Sequence, residues 1–187
     1  MTAKGVAAHA GAAHDEGVNA IEELAHQTLL IQRMTDYGRG TTANVGRIQG
    51  GGRTNVVPDW ARAWVDLRVS TPEEGQRMLE QISNLKPKLP GASLHVHAAL
   101  SRPPMLRNDL MVQTFQRAAA IASEIGLQLT EGQSGGASDG NFSAALGIPT
   151  LDGLGPRGDG AHALHEHVVI HSLPERAALL AALLLNW

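Results

Sequence analysis

From Ala63 to Val69 the sequence changes character at every step: Ala63, Val65, Leu67 and Val69 are aliphatic, while Trp64, Asp66 and Arg68 between them are aromatic or charged. A period of two is the repeat of a β-strand, whose successive side chains point to opposite faces. This run therefore reads as a strand with one face on a core and the other left to solvent or function. Its neighbours decide which fold it joins. Upstream, KGVAAHA (4–10) has strand-like composition. NAIEELAHQTLLIQRM then places Ile21, Leu24, Ala25, Thr28 and Leu29 at helical spacing behind Asn19, a fitting N-cap. TTANVGRIQGGG is rich in Val and Thr and ends in a glycine cluster that suits a hairpin or bulge before TNVVPDWARAWVDLRVST. TPEEGQRMLEQISNL opens on Thr71, Pro72 and two acids, which fits a capped helix with carboxylates at the positive end of its dipole. ASLHVHAALS alternates once more. The series βαββαβ fills the chain to about residue 101 and matches the split βαβ, ferredoxin-like plan.

SRPPMLRND is a natural boundary, so domains are expected at 1–105 and 106–187. Beyond it, NDLMVQTFQRAAAIASEIG reads as a helix and LQLTEGQSGGASDG as a strand running into a glycine turn. NFSAALG reads as a short helix, IPTLDGLG as a buried strand and SLPERAALLAALLLNW as the closing helix. This alternation is about half of a layered α/β/α domain, because two strands cannot make a sheet with both faces covered. The expected class is α/β, with an α+β first domain.

Several partners are excluded by composition. There is no cysteine, so any zinc must sit on histidines and carboxylates. Lys and Arg are scattered, without a basic stripe or aromatic platforms, and the net charge is −3, so no nucleic acid is expected. The longest apolar stretch, AALLAALLLNW, is about half of the roughly 20 residues a membrane span needs. The N-terminus does not read as a signal peptide, so a cytoplasmic home is the default expectation.

The chemistry-bearing candidates are few. His95 and His97 on a strand, His26 in a helix and His14 in a loop read as ordinary polar residues. His162, His165 and His167 differ, because they follow the glycine-rich GLGPRGDG after a predicted buried strand, where α/β proteins build sites. HALHEH lacks the i, i+4 spacing of a helical zinc pair, so it points to one ligand with the others elsewhere; a single-zinc site using all three histidines is the alternative. In SGGASDG (134–140) two glycines let backbone N–H groups approach a ligand, and Ser138 or Asp139 can cap the following helix. Asn55 lies beside a glycine cluster, and Arg68 on the polar strand face can grip a carboxylate, with Asp66 as a competing ion-pair partner. His9 in AHAG is, by itself, a polar residue at a strand end.

In order along the chain, KGVAAHAGAAHDEGVNAI, NVGRIQGGGRTNVVPDWARAWVDLR and SGGASDGNFSAALGIPTLDGLGPRGDGAHALHEHV resemble the di-zinc aminoacylase and carboxypeptidase family, closest to its folate-cleaving glutamate carboxypeptidase branch. The resemblance spans essentially all 187 residues. It implies a ferredoxin-like dimerisation domain inserted in a catalytic α/β domain, with residues 1–105 as the inserted domain and 106–187 as the C-terminal portion of the catalytic one. It implies that His162 is the family's last zinc ligand and that His165 stands where Asn or Asp is common. Glu166 is outer shell at most. His9 resembles the histidine that reaches into the neighbouring subunit's site and steadies the tetrahedral oxyanion. Asn55 and Arg68 resemble residues that hold the substrate's carboxylate end across the dimer, and Gly135 and Gly136 match backbone flanking the substrate. Ala137 replaces a Thr or Ser usual there, and His14 replaces a Pro.

The family's reaction uses two zinc ions and a glutamate base, and the residues that supply them precede the inserted domain in full members. The expectation is therefore a homodimeric C-terminal part of a zinc amide hydrolase acting on a small carboxylate-bearing substrate. Alone it is expected to be inactive, to hold metal weakly, and to need a separate N-terminal half, a swap or a rearrangement to cover residues 107–187. The alternative is a non-catalytic dimerisation and substrate-capping module.

Overall fold

Four short runs of alternating burial come together in the first part of the chain, in a computed structural model that describes residues 1–187. Strands β1 (Thr2–Lys4) and β2 (Ala8–His9), helix α1 (Ala20–Gln32), strands β3 (Thr42–Gly50), β4 (Val56–Val57) and β5 (Trp60–Arg68), helix α2 (Pro72–Ser83) and strand β6 (Ser93–His95) follow in order. An antiparallel sheet of order β3-β5-β1-β6 results, and β2 pairs separately with β4. With one helix after the first strand and one before the last, this is the ferredoxin-like plan.

The inward face is built largely from alanines. Ala3, Ala61 and Ala63 are buried beneath Ala20 and Leu24 of α1, and their small side chains let helix and sheet approach closely. Ile31, Ala43, Met78 and Ile82 form a second cluster shared by α1, β3 and α2. Both helices begin as their sequences predict. Asn19 Oδ1 accepts from the N–H groups of Ile21 and Glu22 at 2.9 and 3.1 Å, and Thr71 Oγ1 accepts from Glu74 N–H ahead of Pro72. Glu23, fully buried on α1, accepts from the N–H groups of Lys88 and Leu89, tying the segment after α2 to α1.

Two strands differ from expectation. The ladder strand is Thr2–Lys4, and KGVAAHA is broken at Gly5, whose N–H donates to Asp59 O and where a Cβ would collide with the Val18 carbonyl. Val6 then bridges Val18, and the chain next joins a strand at β2. In ASLHVHAALS only Ser93–His95 joins the ladder, because β1 offers three residues to pair with.

Two compact units divide the chain, Met1–Pro104 and Met105–Trp187. In the second, helices α3 (Asp109–Glu124) and α4 (Gly140–Ala145), strands β7 (Gly158–Asp159) and β8 (His167–Val168) and helix α5 (Ser172–Asn186) follow. All three expected helices form. The strands expected at 127–133 and 148–155 do not; their backbone runs irregularly, and β7–β8 is the unit's one ladder. Their apolar residues are used all the same. Leu127, Leu129, Leu151 and Leu154 pack on Ala118, Ile121, Ala122, Leu179, Ala182 and Leu183 of α3 and α5. Burial of side chains needs only a surface, whereas a strand needs a neighbour for its N–H and C=O groups. No helix is long and apolar enough to cross a membrane.

Candidate functional site

His9 is the end of β2, opposite Val56 of β4. Its ring is held by its own loop: Nδ1 accepts from the backbone N–H groups of Gly11 and Ala12, both at 3.1 Å. A nitrogen that accepts cannot carry the proton, so the neutral imidazole is the Nε2–H tautomer. The exposed ring thus presents a donor outward, with its orientation set by backbone. Asn55 is brought beside it by the same ladder, since Ala10 N–H donates to Asn55 O at 3.0 Å. Next to this pair lies a shallow cleft of about 370 Å³, walled by Gly52, Arg53, Val56, Pro58 and Trp60. Sequence reasoning did not single out Arg53.

Arg68 is elsewhere. It closes β5, opposite Thr42, and at about 3.3 Å per residue it lies roughly 26 Å along the strand from Trp60. The structure therefore brings His9 and Asn55 together and leaves Arg68 at the other end of the sheet. There its Nε donates to Asp66 Oδ2 at 2.9 Å, the ion pair that the adjacent aspartate foreshadows.

Near that end is a network the sequence did not announce. The Glu74 carboxylate is buried and accepts from Thr41 Oγ1 at 2.6 Å and from Arg77 Nε at 2.7 Å, with Arg39 at 3.8 Å. Arg77's hydrogen bond foremost, with help from Thr41, pulls its pKa down to about 2. A carboxylate so firmly ionised is a poor proton carrier near neutrality and acts as an anchor joining α2 to the start of β3. The one available signal was the Thr71-x-x-Glu74 spacing of a helix start.

In the second unit Gly135 and Gly136 lie in an irregular turn before α4. Gly136 N–H donates to Ser134 Oγ at 3.2 Å, and Ser138 Oγ accepts from Gly140 N–H at 3.0 Å while donating to Asp152 Oδ2 at 2.9 Å. Of the two expected capping residues, Ser138 makes the bond at the helix start, and Asp139 makes no side-chain cap.

His162 follows β7 in an exposed loop and is the one non-glycine residue with positive φ, 66°. Its N–H donates to Glu166 Oε2 at 3.2 Å, which pins the turn. A left-handed conformation costs an ordinary residue about 1–2 kcal/mol, and such strain gathers at sites where a side chain must be aimed. His167 Nδ1 lies 3.1 Å from the His165 carbonyl oxygen. No three His, Asp or Glu side chains are grouped to hold a metal ion. Within this hairpin His162, His165 and His167 are not grouped as a metal site.

Comparison with known proteins adds a frame. Residues 1–89 match the family model described as a peptidase dimerisation domain. Carboxypeptidase G2 of Pseudomonas sp. (strain RS-16) is 30% identical over 97% of this chain and 45% of its own length. A succinyl-diaminopimelate desuccinylase of Ectopseudomonas mendocina is 32% identical over 74% of this chain and 36% of its own. A tripeptidase of Staphylococcus aureus superposes with a TM-score of 0.72 at 28% identity, over 97% of this chain and 48% of that one. The chain thus spans less than half the length of these relatives.

Proposed function

Because residues 1–89 belong to the peptidase dimerisation domain family of the M20 peptidases, we propose that the chain is the dimer-forming and C-terminal part of a zinc-dependent hydrolase. The enzyme cleaves the amide bond of an N-acyl amino acid or of the C-terminal residue of a small peptide. The relatives' names, a carboxypeptidase, a desuccinylase and a tripeptidase, support an amide bond near a free carboxylate. The observation that carries the reading is His9, whose tautomer is fixed so that Nε2–H points outward as a ready donor. Such a donor suits the oxyanion that forms when an amide carbonyl is attacked.

Asn55 and Arg68 are assigned to the substrate's carboxylate, and Gly135 and Gly136 to the backbone beside it. His9 and Asn55 sit at the β2–β4 pair, and Arg68 closes β5 of the main sheet. A single active site on this reading draws His9 and Asn55 from one chain and Arg68 from the other, in place of the expectation that Asn55 and Arg68 both reach across the dimer. The dimer is then part of the machinery. His162 is assigned as a metal ligand, its strained backbone aiming the ring. The 187 residues gather no metal-holding group, so they do not by themselves fit a pair of zinc ions, and the proposal requires the remaining ligands and the general base from outside them.

The test has two arms. The purified chain with added zinc hydrolyses no N-acyl amino acid or dipeptide; turnover by this polypeptide alone overturns the assignment. In an active enzyme carrying these residues, His9→Ala lowers kcat by about 10²–10³ with KM little changed; unchanged kcat removes His9 from the site.

A further inference from the structure

The sheet face away from the helices collects charge that the sequence scatters. Inward positions are filled by Ala3, Ala43, Val45, Ala61, Ala63 and Leu94, so the opposite face carries Lys4 of β1, Arg62, Trp64 and Arg68 of β5, and Trp60, a residue 38% exposed. Asp66 is its one acid. Arg47 joins them through an irregularity of β3. Val45 stands opposite Val65, yet Arg47 stands opposite Trp64, the register shifting between them at Gly46. Strict alternation would have set Arg47 on Val45's side, against the core; the β-bulge re-aims it outward. There the guanidiniums of Arg47 and Arg62 both lie over the Trp64 ring, 4.4 and 4.9 Å from its centroid.

We propose that this open face binds an extended acidic segment of a partner protein. Two guanidiniums drawn to one indole repel each other, and a carboxylate bridging them relieves that repulsion with charge-assisted hydrogen bonds. The spacing fits as well. Outward residues of β5 recur about every 6.6 Å, as do alternate residues of an extended peptide, so two acids at alternate positions meet Arg62 and then Arg47 over Trp64, while Asp66, the next outward residue, is held by Arg68. A single-stranded nucleic acid is disfavoured because it needs a series of free aromatic faces. Trp64 is already occupied by its arginines, and Trp60 is the other indole of the face.

The 187-residue protein is titrated with a labelled peptide alternating Glu and Ser, with its Gln–Ser counterpart, and with an oligouridylate. The acidic peptide binds, weakens as salt rises, and outbinds the Gln–Ser peptide by roughly tenfold or more, a difference of about 1.4 kcal/mol. Arg47→Gln combined with Arg62→Gln costs at least as much, and Arg117→Gln in the second unit costs nothing. Equal affinity for the two peptides on the unaltered protein, an equal loss in Arg117→Gln, or tighter binding of the oligouridylate overturns the proposal. The peptide comparison holds whether or not the double variant folds.

Discussion

Single residues here are set by what their neighbours demand of hydrogen bonding. His9 has one nitrogen engaged by two backbone donors, and that alone decides which nitrogen faces outward. Glu74 shows the same principle applied to stability. Its pKa is about 2 in the folded chain, against an ordinary 4.5, so the folded state binds that proton less readily than the unfolded one. The stabilisation is complete above about pH 4.5 and drains away as pH falls toward 2. Acid titration of the unfolding midpoint should therefore show a steep limb in that window, flattened in Glu74→Gln; an unchanged limb would mean that Glu74 is not its source. Arg77 is three residues from Glu74, but the contribution of Thr41 was not legible beforehand, because Thr41 and Glu74 are distant in sequence and meet only across the fold.

At the scale of elements, local signals performed well where the element is self-sufficient. A helix satisfies its own backbone, so spacing and a cap suffice to specify it, and α1 to α5 stand where their patterns put them. Asn19→Ala, which removes the α1 cap, should lower stability by about 1 kcal/mol, and Leu24→Ala, which opens a hole over the alanine face of the sheet, by about 2–5 kcal/mol. Urea unfolding of each variant checks the ranking, and a larger loss at the cap would contradict the packing described. Strands are another matter. LQLTEGQ and IPTLDGLG carry strand-like patterns and still do not form strands, for want of a partner ladder. KGVAAHA yields to Gly5, where Val18 comes too close for any side chain.

For the whole molecule, the prediction is assembly. If residues 1–89 act as their family's description says, light scattering should give a mass near twice 19.7 kDa, whereas a monomer at micromolar concentration would leave the two ends of the sheet without a shared site. Of the candidate residues, the resemblance to the family marked His9, Asn55, Arg68, Gly135, Gly136 and His162, but not their distances. It could not say that His9 and Asn55 are neighbours, that Arg68 lies across the sheet, or that Arg47 crosses to the outer face at a bulge. By itself the sequence determined the helices, their starts and the inward face of β5, because these depend on residues a few positions apart. Only the tertiary structure decided register, the Glu74 network and the gathering of arginines on one face. Those depend on which distant backbone groups find each other, and no local pattern encodes that pairing.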